Sequence, residues 1–193
     1  MKRISVFCGS SPGLRSEYML AAKQLGEAMA SRSIGLVYGG ASVGLMGEVA
    51  RTVESLGGEV IGVIPQSLVD KEVAYRELND LRVVGSMHER KALIADLVEG
   101  FIAMPGGLGT LEEFFEVLTW AQLGIHQKPC GLLNIAGYYD KLLDFLDYAV
   151  EQRFVKDTHR SLILVDAEPK RLLDSLVSYQ PVIVDKWLDR EAR

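Results

Sequence analysis

Short β-rich runs alternate with helical patterns along nearly the whole chain, and this alternation limits the possible folds more than any single residue does. The apolar periodicity predicts strands over residues 4–8, 35–38, 59–64, 81–84, 101–104, 130–134 and 162–165. It predicts helices over 17–31, 45–56, 87–99, 111–123, 138–152 and 169–179. Strand–helix alternation with short turns implies βαβ units. The expected fold is therefore α/β and Rossmann-like: a doubly wound, mainly parallel sheet with helices on both faces. A sheet of this kind binds ligand beyond the carboxyl ends of its strands, in the crevice at a switch point.

Three turns carry the glycine and serine content that such a crevice needs. They are Gly9-Ser10-Ser11-Pro12-Gly13, Gly39-Gly40-Ala41-Ser42-Val43-Gly44 and Pro105-Gly106-Gly107-Leu108-Gly109-Thr110. Each follows a predicted strand, so all three should gather at one edge of the sheet, with Ser10 and Gly40 facing a phosphate or sugar. The third turn is the most informative. It joins the apolar run Phe101-Ile102-Ala103-Met104 to a helical pattern through Leu111-Glu112-Glu113-Phe114. A glycine-rich turn lets backbone N–H groups approach an anion, and the following helix N-terminus favours negative charge. Two carboxylates, Glu112 and Glu113, are expected in that helix's first turn, where they would repel a phosphate unless one faces another part of the ligand. A purely structural account also fits: Thr110-x-x-Glu113 reads as a capping box with Thr110 at the N-cap. The stretch is neither a dinucleotide fingerprint, since Glu112 stands where the third glycine belongs, nor a P-loop, which needs Gly-Lys-Ser/Thr.

Composition sets the remaining bounds. A chain of 193 residues suits one domain spanning 1–193, with the charged stretch 182–193 expected to pack little. The net charge of −5 gives no reason to expect nucleic acid, and no Lys/Arg-rich run suggests a membrane surface. Nothing approaches a membrane span, and the run after Met1-Lys2-Arg3 is too short for a signal segment, so a soluble cytoplasmic protein is expected. Cys8 and Cys130 sit in apolar strand-like runs and should be buried, reduced thiols. His88, His126 and His159 are scattered without ligand spacing, so no metal is expected, and no lysine sits in a recognisable pyridoxal-phosphate setting, so no other cofactor is expected either. Residues 66–80 form the least regular stretch and are expected as a mobile segment over the site.

Ser86-Met87-His88-Glu89-Arg90-Lys91 opens another helix through the capping box Ser86-x-x-Glu89. Arg90 and Lys91 in its first turns could be plain solvated charges. However, this helix leads directly into the strand over 101–104 and its glycine turn. Arginine suits bidentate binding of phosphate or a sugar's hydroxyls, and lysine adds a point charge.

Met87-His88-Glu89-Arg90-Lys91 together with Pro105-Gly106-Gly107-x-Gly109-Thr110-x-x-Glu113 resembles the signature pair of the LOG ("lonely guy") family. Its members are cytokinin-activating nucleoside 5′-monophosphate phosphoribohydrolases, often mislabelled as lysine decarboxylases. The resemblance extends through Val6-Phe7-Cys8-Gly9-Ser10-Ser11, Tyr38-Gly39-Gly40, Gly44-Leu45-Met46-Gly47 and Thr119-Trp120-Ala121-Gln122-Leu123-Gly124, and spans residues 3–179. One departure is Ala41, where many members carry a third glycine. The resemblance implies hydrolysis of the N-glycosidic bond of a nucleoside 5′-monophosphate to free base and ribose 5-phosphate. It implies Arg90 and Glu113 as the catalytic pair and Gly106-Gly107-Leu108-Gly109-Thr110-Leu111-Glu112 as the substrate loop. Lys91, Glu72 and Thr119 are implied as further substrate contacts. Cleavage of an N-ribosyl bond passes through an oxocarbenium-like state, which a carboxylate beside the sugar would stabilise. On that view Glu113 points past the phosphate to the ribose. Shorter members of the family are typically dimeric, and Phe115, Trp120 and Leu123 give the helix over 111–123 apolar surface for a homodimer.

Two other functions compete. Gly40-Ala41-Ser42-Val43-Gly44 fits the nucleophile-elbow pattern, with Ser42 as nucleophile and Asp157 and His159 as partners. Against it, Asp157 and His159 lie only two positions apart, and no His-Gly oxyanion motif precedes the turn. The other rival is a nucleotide or cofactor carrier without catalysis on the same scaffold, for which the Arg90 and Glu113 pair would be superfluous.

Overall fold

The computed structural model describes residues 1–69 and 74–181. Glu72 and the stretch 182–193 lie outside the described residues, so the expectations for them stay expectations. The elements run β1 (Arg3–Phe7), α1 (Ser16–Ser31), β2 (Gly35–Tyr38), α2 (Gly44–Ser55), β3 (Val60–Pro65), α3 (Gln66–Val69), β4 (Asp80–Val84) and α4 (Met87–Leu97). They continue with β5 (Phe101–Ala103), α5 (Leu108–Gln122), β6 (Cys130–Leu133), the 3₁₀ turn Ile135–Gly137, α6 (Asp140–Glu151), α7 (Asp157–Arg160), β7 (Ile163–Asp166) and α8 (Pro169–Val177).

The seven strands form one sheet in the order β4-β3-β2-β1-β5-β6-β7, with every pairing parallel. The chain winds outward from β1 to β4, then crosses back to place β5 on the other side of β1. The switch point therefore lies between β1 and β5, as expected of a doubly wound sheet.

The strands explain why their sequences look uniformly apolar. Alternate side chains point to opposite faces, and both faces are covered. Ile4, Val6, Leu36, Tyr38, Ile102 and Met104 pack on one face against residues of α1, α2 and α8. Phe7, Val37, Ile61, Phe101 and Ala103 pack on the other face with Ile94 of α4 and Phe114 and Val117 of α5. Both cysteines are buried and unpaired, and burial pushes the Cys130 thiol up to about 12.

The structure adds α3, α7 and the 3₁₀ turn, which are too short to show a period. It also anchors part of the irregular stretch 66–80. Ala74 bridges Ala41, Tyr75 N donates to Gly40 O at 2.8 Å, and Leu78 is buried. Among the described residues no helix is long and apolar enough to cross a membrane.

Candidate active site

The turns after β1 and β5 flank the switch point and are tied directly together. Gly9 N donates to Pro105 O at 3.0 Å, and Leu45 N, just past the turn after β2, donates to Gly9 O at 3.1 Å. All three glycine turns thus gather at the carboxyl edge. Between them opens a cleft lined by Cys8, Ser10, Met46, Met87, Arg90, Thr110, Glu112 and Glu113, with Gly107 and Gly109 as its backbone wall. A second cavity adjoins it across Gly9, Ser10 and Gly107.

The start of α5 differs from the expectation. Its N-cap is Gly107, and no side chain caps it, so Thr110 is already inside the helix and the Thr110–Glu113 capping box does not form. The glycine turn closes into helical geometry at Leu108. At 1.5 Å per residue this sets Glu113 about 7.5 Å down the axis from Leu108, in the second turn. The first turn then holds no acidic residue. The expected clash between first-turn carboxylates and an anion at the helix start is removed. At Ser86 only half of the capping box forms: Ser86 Oγ accepts from Glu89 N at 3.1 Å, while the Glu89 carboxylate reaches past the cap and accepts from Gly85 N.

That cap aims α4 so that Arg90 enters the cleft from below. Arg90 and Glu113 are 9% and 8% exposed, and Arg90 Nη2 stands 2.6 Å from Glu113 Oε1. The approach depends on Gly39, where an added Cβ would stand 2.6 Å from Arg90 Nη2. Arg90 Nη1 also donates to Met87 Sδ at 3.6 Å. Arg90 Nε and Glu113 Oε1 are buried with no hydrogen-bond partner, so the pair is close in charge but unsaturated in hydrogen bonding. Burial pushes the Glu113 carboxyl above its usual range. Arg90 opposes this shift, and Glu112 and Glu116 reinforce it. This is a carboxyl whose proton affinity its surroundings have tuned, at the bottom of an open cleft.

Lys91 faces differently. Its ammonium is held by Glu112 Oε1 at 2.6 Å and Glu116 Oε1 at 3.0 Å, and Glu112 above all keeps it above its usual range. Thr119 lies exposed two turns further along α5, donating to Phe115 O at 2.6 Å. Leu108 is 86% exposed at the helix start, whereas Leu111 is half-buried against the core. Gly106 lines the second cavity, and Gly40 backs onto Ile64 and Leu81 rather than either cavity. Ala41, the departure from the family pattern, is buried in its bridge to Ala74 and lines neither cavity.

Met46, Met87 and Cys8 line the cleft without having been singled out as site residues. The rule that selects turns after strands points to Met46, but a thioether in a helix carries no signal of its own. Cys8 offers no nucleophile there, because burial, with Glu113 adding to it, pushes its thiol well up. The elbow fails on placement. Ser42 follows β2 at the carboxyl edge of a parallel sheet, whereas Asp157 and His159 sit on α7, which enters β7 from the amino edge. Among the described residues no three His, Cys, Asp or Glu side chains gather as a metal-holding group.

The family profile described as "Possible lysine decarboxylase" matches residues 46–176. A probable cytokinin riboside 5′-monophosphate phosphoribohydrolase of Oryza sativa subsp. japonica is 53% identical over 94% of this chain and 80% of its own. A cytokinin riboside 5′-monophosphate phosphoribohydrolase of Arabidopsis thaliana is 51% identical over 93% of this chain and 84% of its own. Among solved structures, the molybdenum cofactor binding protein of the phototrophic bacterium Rippkaea orientalis superposes with a TM-score of 0.68 at 23% identity, covering 91% of this chain and 97% of that one. The molybdenum cofactor carrier protein of Chlamydomonas reinhardtii gives 0.68 at 22% identity, covering 92% and 98%. At such identities the structural likeness concerns the fold alone.

Proposed function

The chain belongs to the LOG family of cytokinin riboside 5′-monophosphate phosphoribohydrolases, and from that premise we propose that it hydrolyses the N-glycosidic bond of cytokinin or purine nucleoside 5′-monophosphates. In the reaction the bond from C1′ to the base nitrogen breaks, and water supplies hydroxyl to C1′ and a proton to the base. The products are free base and ribose 5-phosphate. One observation carries the assignment of roles: the buried, hydrogen-bond-unsaturated Arg90–Glu113 pair at the foot of a cleft beside the start of α5.

The backbone N–H groups from Gly106 to Thr110 and the α5 N-terminus hold the 5′-phosphate. Ser10 completes this cradle from the opposite turn. The ribose then lies over Glu113, whose carboxylate stabilises the oxocarbenium-like state and orients the attacking water. Arg90 holds Glu113 in place and donates its unused Nε to a sugar hydroxyl. Met46 and Met87 offer polarisable apolar contact to the sugar or base. Lys91, Glu72 and Thr119 are assigned as further substrate contacts from the family's pattern. We place the enzyme in the cytoplasm, acting as a single domain and as a homodimer through the helix over 111–123. Leu123 is 41% exposed and the adjoining Ile125 66% exposed on that side.

The test is incubation of the purified protein with AMP and with isopentenyladenosine 5′-monophosphate, with release of base followed chromatographically. The proposal expects base from at least one of them, and little from the matching riboside without phosphate. A carrier on the same fold would bind the nucleotide and return it intact.

A further inference from the structure

The cavity beside the cleft encloses about 330 Å³ between the turns after β1 and β5. Its outer wall is Tyr138, from the turn after β6, which contacts Tyr18 of α1 edge-on at 5.8 Å between ring centroids. The Tyr138 hydroxyl donates to Gly106 O at 2.5 Å, across 32 residues of sequence. The buried hydroxyl of Tyr139 donates to Met104 O at 2.6 Å, and Gly9 N donates to Pro105 O at 3.0 Å. Three successive carbonyls of the loop entering α5 are thus each held from outside it.

The turn that presents these two tyrosines is itself braced. Asn134 Oδ1 accepts from Tyr139 N, and its Nδ2 donates to Asp140 Oδ1, both at 2.7 Å. Ala136 is held at φ +51°, a left-handed conformation unfavourable for a residue with a Cβ. Strain retained next to a site is worth reading for a purpose. Here the purpose lies in the Gly106–Gly107 peptide. A peptide between two glycines rotates with little steric resistance, so nothing local fixes which way its N–H points. The peptide is trans, so its carbonyl and N–H point to opposite sides. Locking Gly106 O onto Tyr138 turns the Gly107 N–H away from Tyr138. Gly107 lines both cavities, whereas Tyr138 lines only the outer one. The N–H is therefore turned away from the wall that Tyr138 forms, on a residue that also lines the cleft with Arg90 and Glu113.

We propose that Tyr138 is a positioning residue of the anion cradle: its hydroxyl fixes the Gly106–Gly107 peptide so that the Gly107 N–H donates to the substrate's phosphate. This rests on the reading of the glycine loop as the phosphate site given above. Removal of the hydroxyl would let the peptide sample both orientations, weakening phosphate binding while leaving the chemistry at Glu113 intact.

Tyr138→Phe tests the role, with Tyr148→Phe on α6 as control. Inorganic phosphate and ribose 5-phosphate are titrated calorimetrically, and AMP hydrolysis is followed at steady state. Tyr138→Phe should weaken phosphate binding and raise KM by about 5–10-fold, the factor one net hydrogen bond supplies. Its kcat should stay within about twofold of the parent and its thermal unfolding should be unchanged. The control should match the parent throughout. Parent-like phosphate affinity in Tyr138→Phe, a fall in kcat at unchanged KM, or no phosphate binding by the parent would each overturn the inference. Weakened phosphate binding without hydrolysis by either protein would leave the role of Tyr138 standing and remove the enzymatic reading instead.

Discussion

At Glu113 burial and charge pull in opposite directions, and the outcome can be measured. Burial favours the protonated carboxyl, Arg90 favours the carboxylate, and Glu112 and Glu116 add negative charge that favours protonation. A reaction that needs the carboxylate then loses rate as pH falls through a value above the ordinary 4.5 of a glutamate. Glu112→Gln removes a neighbour that raises this value, so the acidic limb of kcat against pH should move to lower pH; a limb that stays put would mean another group sets it. Glu113→Gln should lower kcat roughly a hundredfold or more while nucleotide binding, followed by calorimetry, persists. Arg90→Ala should lose turnover and affinity together, because the same guanidinium pairs with Glu113 and lines the cleft. The family resemblance of the motifs around them singles out both residues in the sequence, and the structure brings them into contact. Tyr138 is not singled out there. A hydroxyl bound to a carbonyl 32 residues away leaves no periodic or compositional trace.

The helix α5 carries both the glycine turn proposed as the phosphate cradle and the Glu113 carboxyl, so its seating on the sheet sets their common geometry. Phe114 follows Glu113 directly and is fully buried among Phe7, Phe101 and Val117. Phe114→Ala should cost about 3–5 kcal/mol of stability by leaving a cavity under the helix, read as a lowered denaturation midpoint in urea. A cost below about 1 kcal/mol would mean that α5 is held mainly by its ends. The same helix shows where pattern reading stops. Its apolar period was visible from Leu111, yet the helix begins at Leu108, because the glycine turn enters helical geometry before any apolar repeat can register. The carboxylates thus fall in the second turn and the expected cap is lost. α7, four residues long, was invisible for a related reason: it spans barely one period.

Across the whole molecule, apolar surface remains uncovered beside α5 and along α6. Leu123 and Ile125 are exposed at the end of α5, and Phe145, Tyr148 and Phe154 are 61%, 55% and 90% exposed on and after α6. A homodimer through the α5 side predicts light scattering equal to two copies of the 21.3 kDa chain at micromolar concentration. The double change Leu123→Glu and Ile125→Lys should halve that mass without unfolding the chain; a monomer in the parent protein would rule out the dimer. The strands, the longer helices, the parallel sheet and the three glycine turns followed from sequence alone, since periodicity and turn chemistry are encoded within a few neighbouring residues. Only the tertiary structure could decide which turns meet. The order β4-β3-β2-β1-β5-β6-β7 sets the turns after β1 and β5 side by side, whereas the candidate triad falls on opposite edges. It also seats Arg90 against Glu113 over Gly39. Those contacts join residues far apart in the chain, and their energies come from burial and close approach, which no local stretch of sequence records.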